Sequence, residues 1–273
     1  MTVLSYERRT AEVVAQTGLL ISHLTGAHPA APVPSCPGWS LERLLRHLGE
    51  THRWAEEAVR TRAVEPVSDE RLNNPPRHHD GDLAALGDWL AEGATRLAET
   101  LRAAGPDAQV WTPGPGGTAA FWARRMAHET AVHRADAALA VGAEYVLAEE
   151  VALDAVDEWM GFGTVPEVYE ARPGAPALLG PGRTLRFHAT DTAPETAADW
   201  LVDLAGGEPT WHHSPGGPTR HQSPGETAVT VQAPLTDLLF LLYRRPTRAG
   251  NVVIMGDMRL LGLWLRRTGF WLE

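Results

Sequence analysis

The sequence predicts an α+β protein in two parts, a four-helix bundle over residues 1–146 and a small mixed α/β domain over residues 147–273. Three observations predict it. Apolar residues recur at helical spacing in four long segments up to residue 141, and short β-prone runs interleaved with helical patterns follow. A chain of 273 residues also exceeds the roughly 150 typical of one domain.

The first helix is read over residues 5–24 from Val13, Val14, Leu19, Leu20 and Leu24, and it stops before Pro29 and Pro32, which fix φ and remove donors. The second starts after Pro37-Gly38-Trp39 at Ser40, a capping residue, with Glu42 favourably placed in the positive first turn, and runs to about Val64. After the loop Asn73-Asn74-Pro75-Pro76, the third spans Asp82 to Ala104 with Leu83, Leu86, Leu90, Leu97 and Leu101, ending at Gly105-Pro106. The loop Pro113-Gly114-Pro115-Gly116-Gly117 leads into the fourth, Ala119 to Val141, closed by Gly142. Four such helices form a bundle.

A linking helix is expected over residues 148–162. Strands are expected at Thr184–His188, Ala228–Gln232 and Val252–Met255, and further helices at Glu195–Leu204, Pro234–Tyr243 and Asp257–Thr268. The segment from Trp211 to Pro218 reads as a loop with His212 and His213 solvated.

Composition excludes several classes. A net charge of −10 without any dense basic run argues against nucleic acid, whose binders gather cations on one face. A single cysteine, Cys36, forbids an intrachain disulfide, and the N-terminal residues lack a basic-then-apolar leader. No apolar run approaches the roughly 20 residues of a membrane span. A soluble, cytoplasmic protein is the expectation, with its oligomeric state unread.

The chemistry is carried by the fourth helix. Its apolar stripe through Trp122 and Met126 continues, at steps of three and four, onto Glu129 and His133. A carboxylate facing a bundle interior needs a hydrogen-bond partner, a cation or solvent. Side chains four apart project together, and carboxylate plus imidazole is an ordinary ligand pair for a divalent transition metal. A third ligand would come from the second helix, which offers His47 and His52. The stripe Leu41, Leu44, Leu48, Ala55 and Val59 puts His52 nearer the inward centre and His47 on its flank. His52 and His128 read equally well as surface residues. No nucleophile elbow or phosphate-binding glycine pattern is present.

The phrase Val33-Pro34-Ser35-Cys36-Pro37-Gly38-Trp39-Ser40, with His47-Leu48 beginning eight residues after the Trp, resembles the opening of the mycothiol-dependent maleylpyruvate isomerase family, a branch of the DinB-like metal-binding bundles. The Glu129-x-x-x-His133 helix matches too, and Pro234 to Pro246 with Gly256-Asp257 resembles that family's sterol-carrier-like C-terminal domain. The resemblance implies a metal, zinc by default, held by His47, Glu129 and His133, which sets His47 above His52. It implies mycothiol as cosubstrate, binding in a cleft between domains with its sulfur near the metal. Arg245 falls on the family's arginine position, where it would pair with a substrate carboxylate, although Tyr243-Arg244-Arg245 stands where the pattern has Trp-Gly-Arg. Cys36 reads as a partly buried structural residue, and Arg134 and Asp136 as supporting contacts or surface charges.

The implied activity is isomerase or thiol S-transferase on a small electrophile. The competing readings are a non-catalytic binder of an apolar small molecule and a thiol-independent metal hydrolase.

Overall fold

The computed structural model describes residues 4–74, 76–77, 79–170, 174, 176–214 and 227–269. The chain divides into two compact units that part between Val146 and Leu147.

The first unit is built on four long helices: α1 (Tyr6–Ser22), α2 (Leu41–Arg60), α4 (Leu83–Ala104) and α5 (Ala119–Val141), with the single turn α3 (Glu70–Asn73) in the loop before α4. The starts of α1, α2 and α4 are capped by side chains that satisfy orphan N–H groups of a first turn. Ser5 accepts from the Arg8 N–H at 3.1 Å, Ser40 from Arg43 at 3.3 Å, and Asp82 from Ala84 and Ala85, both at 3.0 Å. Helix α5 ends on Gly142 at φ +67°, a left-handed cap open to glycine.

Two apolar clusters fill the bundle. One gathers Val13, Ala55, Leu97, Leu101, Trp122 and Met126; the other Leu20, Leu41, Leu44, Leu48, Leu86 and Ala137. The inward face of α5 therefore passes from Met126 in one cluster to Ala137 in the other, and the stretch between carries Glu129, Thr130 and His133.

The loop before α4 is tied to α2. Arg46 donates to the Pro76 carbonyl at 3.1 Å and pairs with Asp80 at 2.7 Å, while Trp54 Nε1 donates to the Val67 carbonyl at 3.2 Å. Pro75, read as part of this loop, lies outside the described residues.

The second unit contains α6 (Glu149–Phe162), α7 (Pro166–Tyr169), β1 (Thr184–Ala189), β2 (Asp199–Asp203), β3 (Thr210–His213), β4 (Val229–Ala233), α8 (Leu235–Leu242), β5 (Val253–Gly256) and α9 (Met258–Thr268). The sheet order is β3-β2-β1-β4-β5, with β1 and β4 parallel and the other neighbours antiparallel. The whole is α+β, as the sequence predicts. Leu185, Phe187, Trp200, Val202, Val229 and Val231 are buried on one sheet face, where α8 packs on β1 and β4.

Two expectations are corrected. The segment 195–204 is no helix: it carries strand β2 over Asp199–Asp203, and Ala198, Trp200, Val202 and Leu204 are buried at every second position, a period of two that a short apolar run hides. Residues 210–213 form β3, pairing antiparallel with β2, so His213 is not a solvated loop residue: its Nε2 lies 3.1 Å from Asp157 Oδ1. His212 is exposed, and residues 215–218 of that expected loop fall outside the described residues.

Candidate metal centre

His47 on α2 and Glu129 and His133 on α5 present one donor atom each, all within 4.8 Å of one another. Glu129 Oε1 lies 3.0 Å from His133 Nε2 and 3.8 Å from His47 Nε2. Donors placed 2.0–2.1 Å from a tetrahedral ion stand about 3.3 Å apart, so the spacing fits an ion. The other carboxylate oxygen, Oε2, takes a hydrogen bond from Arg125 at 3.1 Å.

The state of His133 follows from its second nitrogen. Nδ1 lies 2.8 Å from Asp136 Oδ2, and an ionised carboxylate can only accept, so Nδ1 carries the proton. Nε2 is then the nitrogen turned to Glu129, where only a proton or a cation makes the 3.0 Å approach favourable. A carboxylate that fixes the tautomer and raises the basicity of an imidazole is the usual support of a metal-bound histidine. Asp136 also accepts from the Cys36 thiol at 3.4 Å.

Cys36, His133 and Asp136 make a second group of possible ligands that overlaps the first at His133. Its use of Nδ1 conflicts with the hydrogen bond to Asp136. The donor set of His47, Glu129 and His133 leaves that bond intact, and it fits a divalent ion better.

Charges without an ion follow the same geometry. Burial alone would raise the Glu129 pKa, yet the charge of His133 and hydrogen bonds from His133 and His47 hold it well below the carboxylate range. Burial would lower His133, but the Glu129 charge and its hydrogen bonds with Asp136, Cys36 and Glu129 put it well above the ordinary imidazole value. For His47, burial wins and its pKa is lowered, against hydrogen bonds to Glu129 and to the Leu72 backbone.

Trp39 walls the site, its ring centroid 4.8 Å from that of His47 and 6.2 Å from that of His133. The turn before α2 sets that ring in place. Gly38 takes φ +81°, the Val33 N–H donates to the Trp39 carbonyl at 3.0 Å, and the Trp39 N–H to the Cys36 carbonyl at 3.0 Å. The Pro-Gly-Trp spelling was the one sequence signal for this wall.

His52 is fully buried, as the stripe on α2 predicts, and it stands apart from the three donors. The Thr130 hydroxyl donates to the Met126 carbonyl at 2.6 Å, so it accepts from His52 Nε2 at 2.9 Å. Burial pushes the His52 pKa down to about 3. His128 is also fully buried, so neither histidine is the surface residue that a helix-face reading allows. Cys36 is half-buried. Arg134 lies over the Tyr145 ring at 4.2 Å and donates to the Val146 carbonyl, away from the donors.

Arg245 belongs to the second unit, just after α8, where its Nη1 donates to the Tyr243 carbonyl at 3.0 Å. Its predecessor Arg244 has φ +55°, the conformation a glycine would take without strain.

Comparison with known proteins agrees with this architecture. Residues 10–138 match the mycothiol maleylpyruvate isomerase N-terminal domain, and residues 150–263 the MDMPI C-terminal domain. No curated protein matches the chain significantly. Two solved structures share the fold: mycothiol-dependent maleylpyruvate isomerase, at TM-score 0.57, and a histidine-to-alanine variant of it, at 0.62. Each is 18% identical over 94% of this chain and 98% of its own. With both halves matched in order, the chain belongs to the mycothiol maleylpyruvate isomerase family.

Proposed function

We propose that this protein is a divalent-metal-dependent enzyme that uses a low-molecular-weight thiol, mycothiol in keeping with its family, either to isomerise a small electrophile or, as an S-transferase, to join the thiol sulfur to it. The observation that carries the reading is the convergence of His47 Nε2, Glu129 Oε1 and His133 Nε2 on one point. Zinc suits this nitrogen and oxygen donor set.

Held by His47, Glu129 and His133, such an ion would supply a Lewis acid that lowers the pKa of an approaching thiol. The thiol supplies reversible addition: a C–S bond formed at a carbon–carbon double bond leaves a single bond free to rotate, and expulsion of the sulfur restores the alkene.

The chain's own residues prepare this chemistry. Asp136 keeps the His133 proton on Nδ1, and Arg125 holds Glu129 Oε2 so that Oε1 faces the two imidazoles. Trp39 covers one side and limits water at the donors. Arg245, on the second unit, is assigned to a substrate carboxylate through a charge-assisted guanidinium contact.

Elemental analysis of the purified protein and of His133→Ala tests the site. One equivalent of divalent metal in the parent and none in the folded variant is the expected result; full metal content in the variant would overturn it. Turnover of a cis-enone acid with and without mycothiol then separates the thiol-dependent activity from a thiol-independent hydrolase.

A further inference from the structure

A second charged cluster lies apart from the metal donors. Arg53 and Arg60 of α2, Arg71 of α3 and Arg96 of α4 surround a cavity of about 260 Å3 together with Glu56 and Glu57. Four guanidiniums thus face two carboxylates.

Arg53 is the fixed member. It donates to the Gly49 carbonyl at 3.0 Å and the Trp89 carbonyl at 2.9 Å, and its guanidinium lies over the Trp89 ring at 3.8 Å. Gly93 makes the room, since a Cβ there would come within 2.4 Å of Arg53 Nη1. Among the described residues no carboxylate stands within ion-pair distance of Arg53.

The other cations are reachable from solvent, with Arg60, Arg71 and Arg96 side chains 56%, 53% and 53% exposed. Glu56 is shared between Arg60 at 3.1 Å and Arg96 at 3.7 Å, and it also accepts from the Thr100 hydroxyl at 3.3 Å. Arg71 pairs with the buried Glu50 at 2.7 Å. Burial lowers the Arg53 pKa, and the neighbouring charges of Arg96 and Arg71 act in the same direction, against Glu50 and Glu92.

Glu56 is divided between Arg60 and Arg96 and Glu50 serves Arg71, while among the described residues Arg53 is met only by backbone carbonyls and an indole face, so the concavity keeps guanidinium donors in excess of its carboxylates. A compact oxyanion meets the arrangement, because planar guanidinium forks match the oxygens of phosphate or carboxylate two at a time. The volume of about 260 Å3 corresponds to roughly nine waters at about 30 Å3 each, room for a small acid.

We infer that this cavity binds a small oxyanion, carried as phosphate or as a dicarboxylate, through Arg53, Arg71 and Arg96. His47, Glu129 and His133 take no part in its lining, so the inference stands independently of the proposed activity.

Calorimetric titration of the full-length protein with inorganic phosphate, with succinate, and with chloride at matched ionic strength tests it. Saturable heat with phosphate or succinate but not chloride is expected, and the arm that saturates names the source of the oxyanion. Arg71→Ala or Arg96→Ala should weaken that affinity about tenfold, the loss of one charge-assisted contact. Arg102→Ala, a bundle arginine paired with Glu7 outside the cavity, controls for net charge and should leave it unchanged. No saturable heat with either anion, or an affinity untouched by both cavity variants, overturns the inference. Thermal melts establish that each variant is folded.

Discussion

At the scale of single residues, protons and cations compete for the same lone pairs. His133 is proposed to ligate through Nε2 because Asp136 occupies Nδ1. Asp136→Asn keeps the shape and removes the charge; divalent-metal affinity is expected to fall about tenfold to a hundredfold in a competition titration, with the helical circular dichroism signal unchanged. His52 makes a separate prediction. Its folded pKa, about 3, lies below the ordinary imidazole value of 6.5, so the unfolded chain takes up the proton first. The stability linked to His52 is therefore complete above pH 6.5 and drains away as pH falls toward 3, by about 1.4 kcal/mol per pH unit. Urea denaturation of chelator-treated protein between pH 7 and 5 should show that decline, and His52→Gln should flatten it. The periodicity of α2 correctly marks His52 as inward-facing. Inwardness alone, however, selects the residue with the most burial, whereas the proposed ligand stands nearer the edge of the core: the His47 side chain is 21% exposed.

At the scale of elements, packing between α2 and α4 is set by a glycine. A Cβ on Gly49 would meet the Trp89 ring at 2.0 Å, which nothing but movement of the indole relieves. Gly49→Ala should destabilise the bundle by about 1–3 kcal/mol, read as a shifted urea midpoint. The long helices of the first unit were legible because each repeats its apolar positions over several turns, with start signals such as Ser40 and Asp82 at two of them. Strand β2 was not, because five residues sample too little of either period, and the acidic, alanine-rich approach from Glu195 reads as helix. Strand β3 was hidden for another reason: its order comes from pairing with β2, a long-range contact that local composition around His212 and His213 does not report. The single turn α3 was equally silent, since Arg71 and its partner Glu50 lie far apart along the chain.

At the scale of the whole molecule, the proposed roles fall on different units. All three donors lie between Leu4 and Val146, and Arg245 lies beyond Leu147. A chain of residues 1–146 is therefore expected to fold and retain one equivalent of metal, measured by elemental analysis. In the full chain, Arg245→Ala should keep its metal while kcat/KM for a carboxylate substrate falls about tenfold or more, as loss of a charged hydrogen bond dictates. Metal loss on truncation would show that the first unit does not hold its site unaided. The order of the two halves was readable from the change of texture beyond the linking helix at 148–162, and the proposed donors were singled out by two short phrases, one at each proposed ligand helix.

Trp39 gives the centre an optical reporter. With its indole 4.8 Å from one imidazole and 6.2 Å from the other, its excited state lies within electron-transfer range of whatever occupies the space between them. Filling that space with an open-shell ion such as cobalt or copper should quench a share of the emission that filling it with closed-shell zinc does not, and Trp39→Phe should erase the difference. Occupancy could then be followed in real time on unlabelled protein.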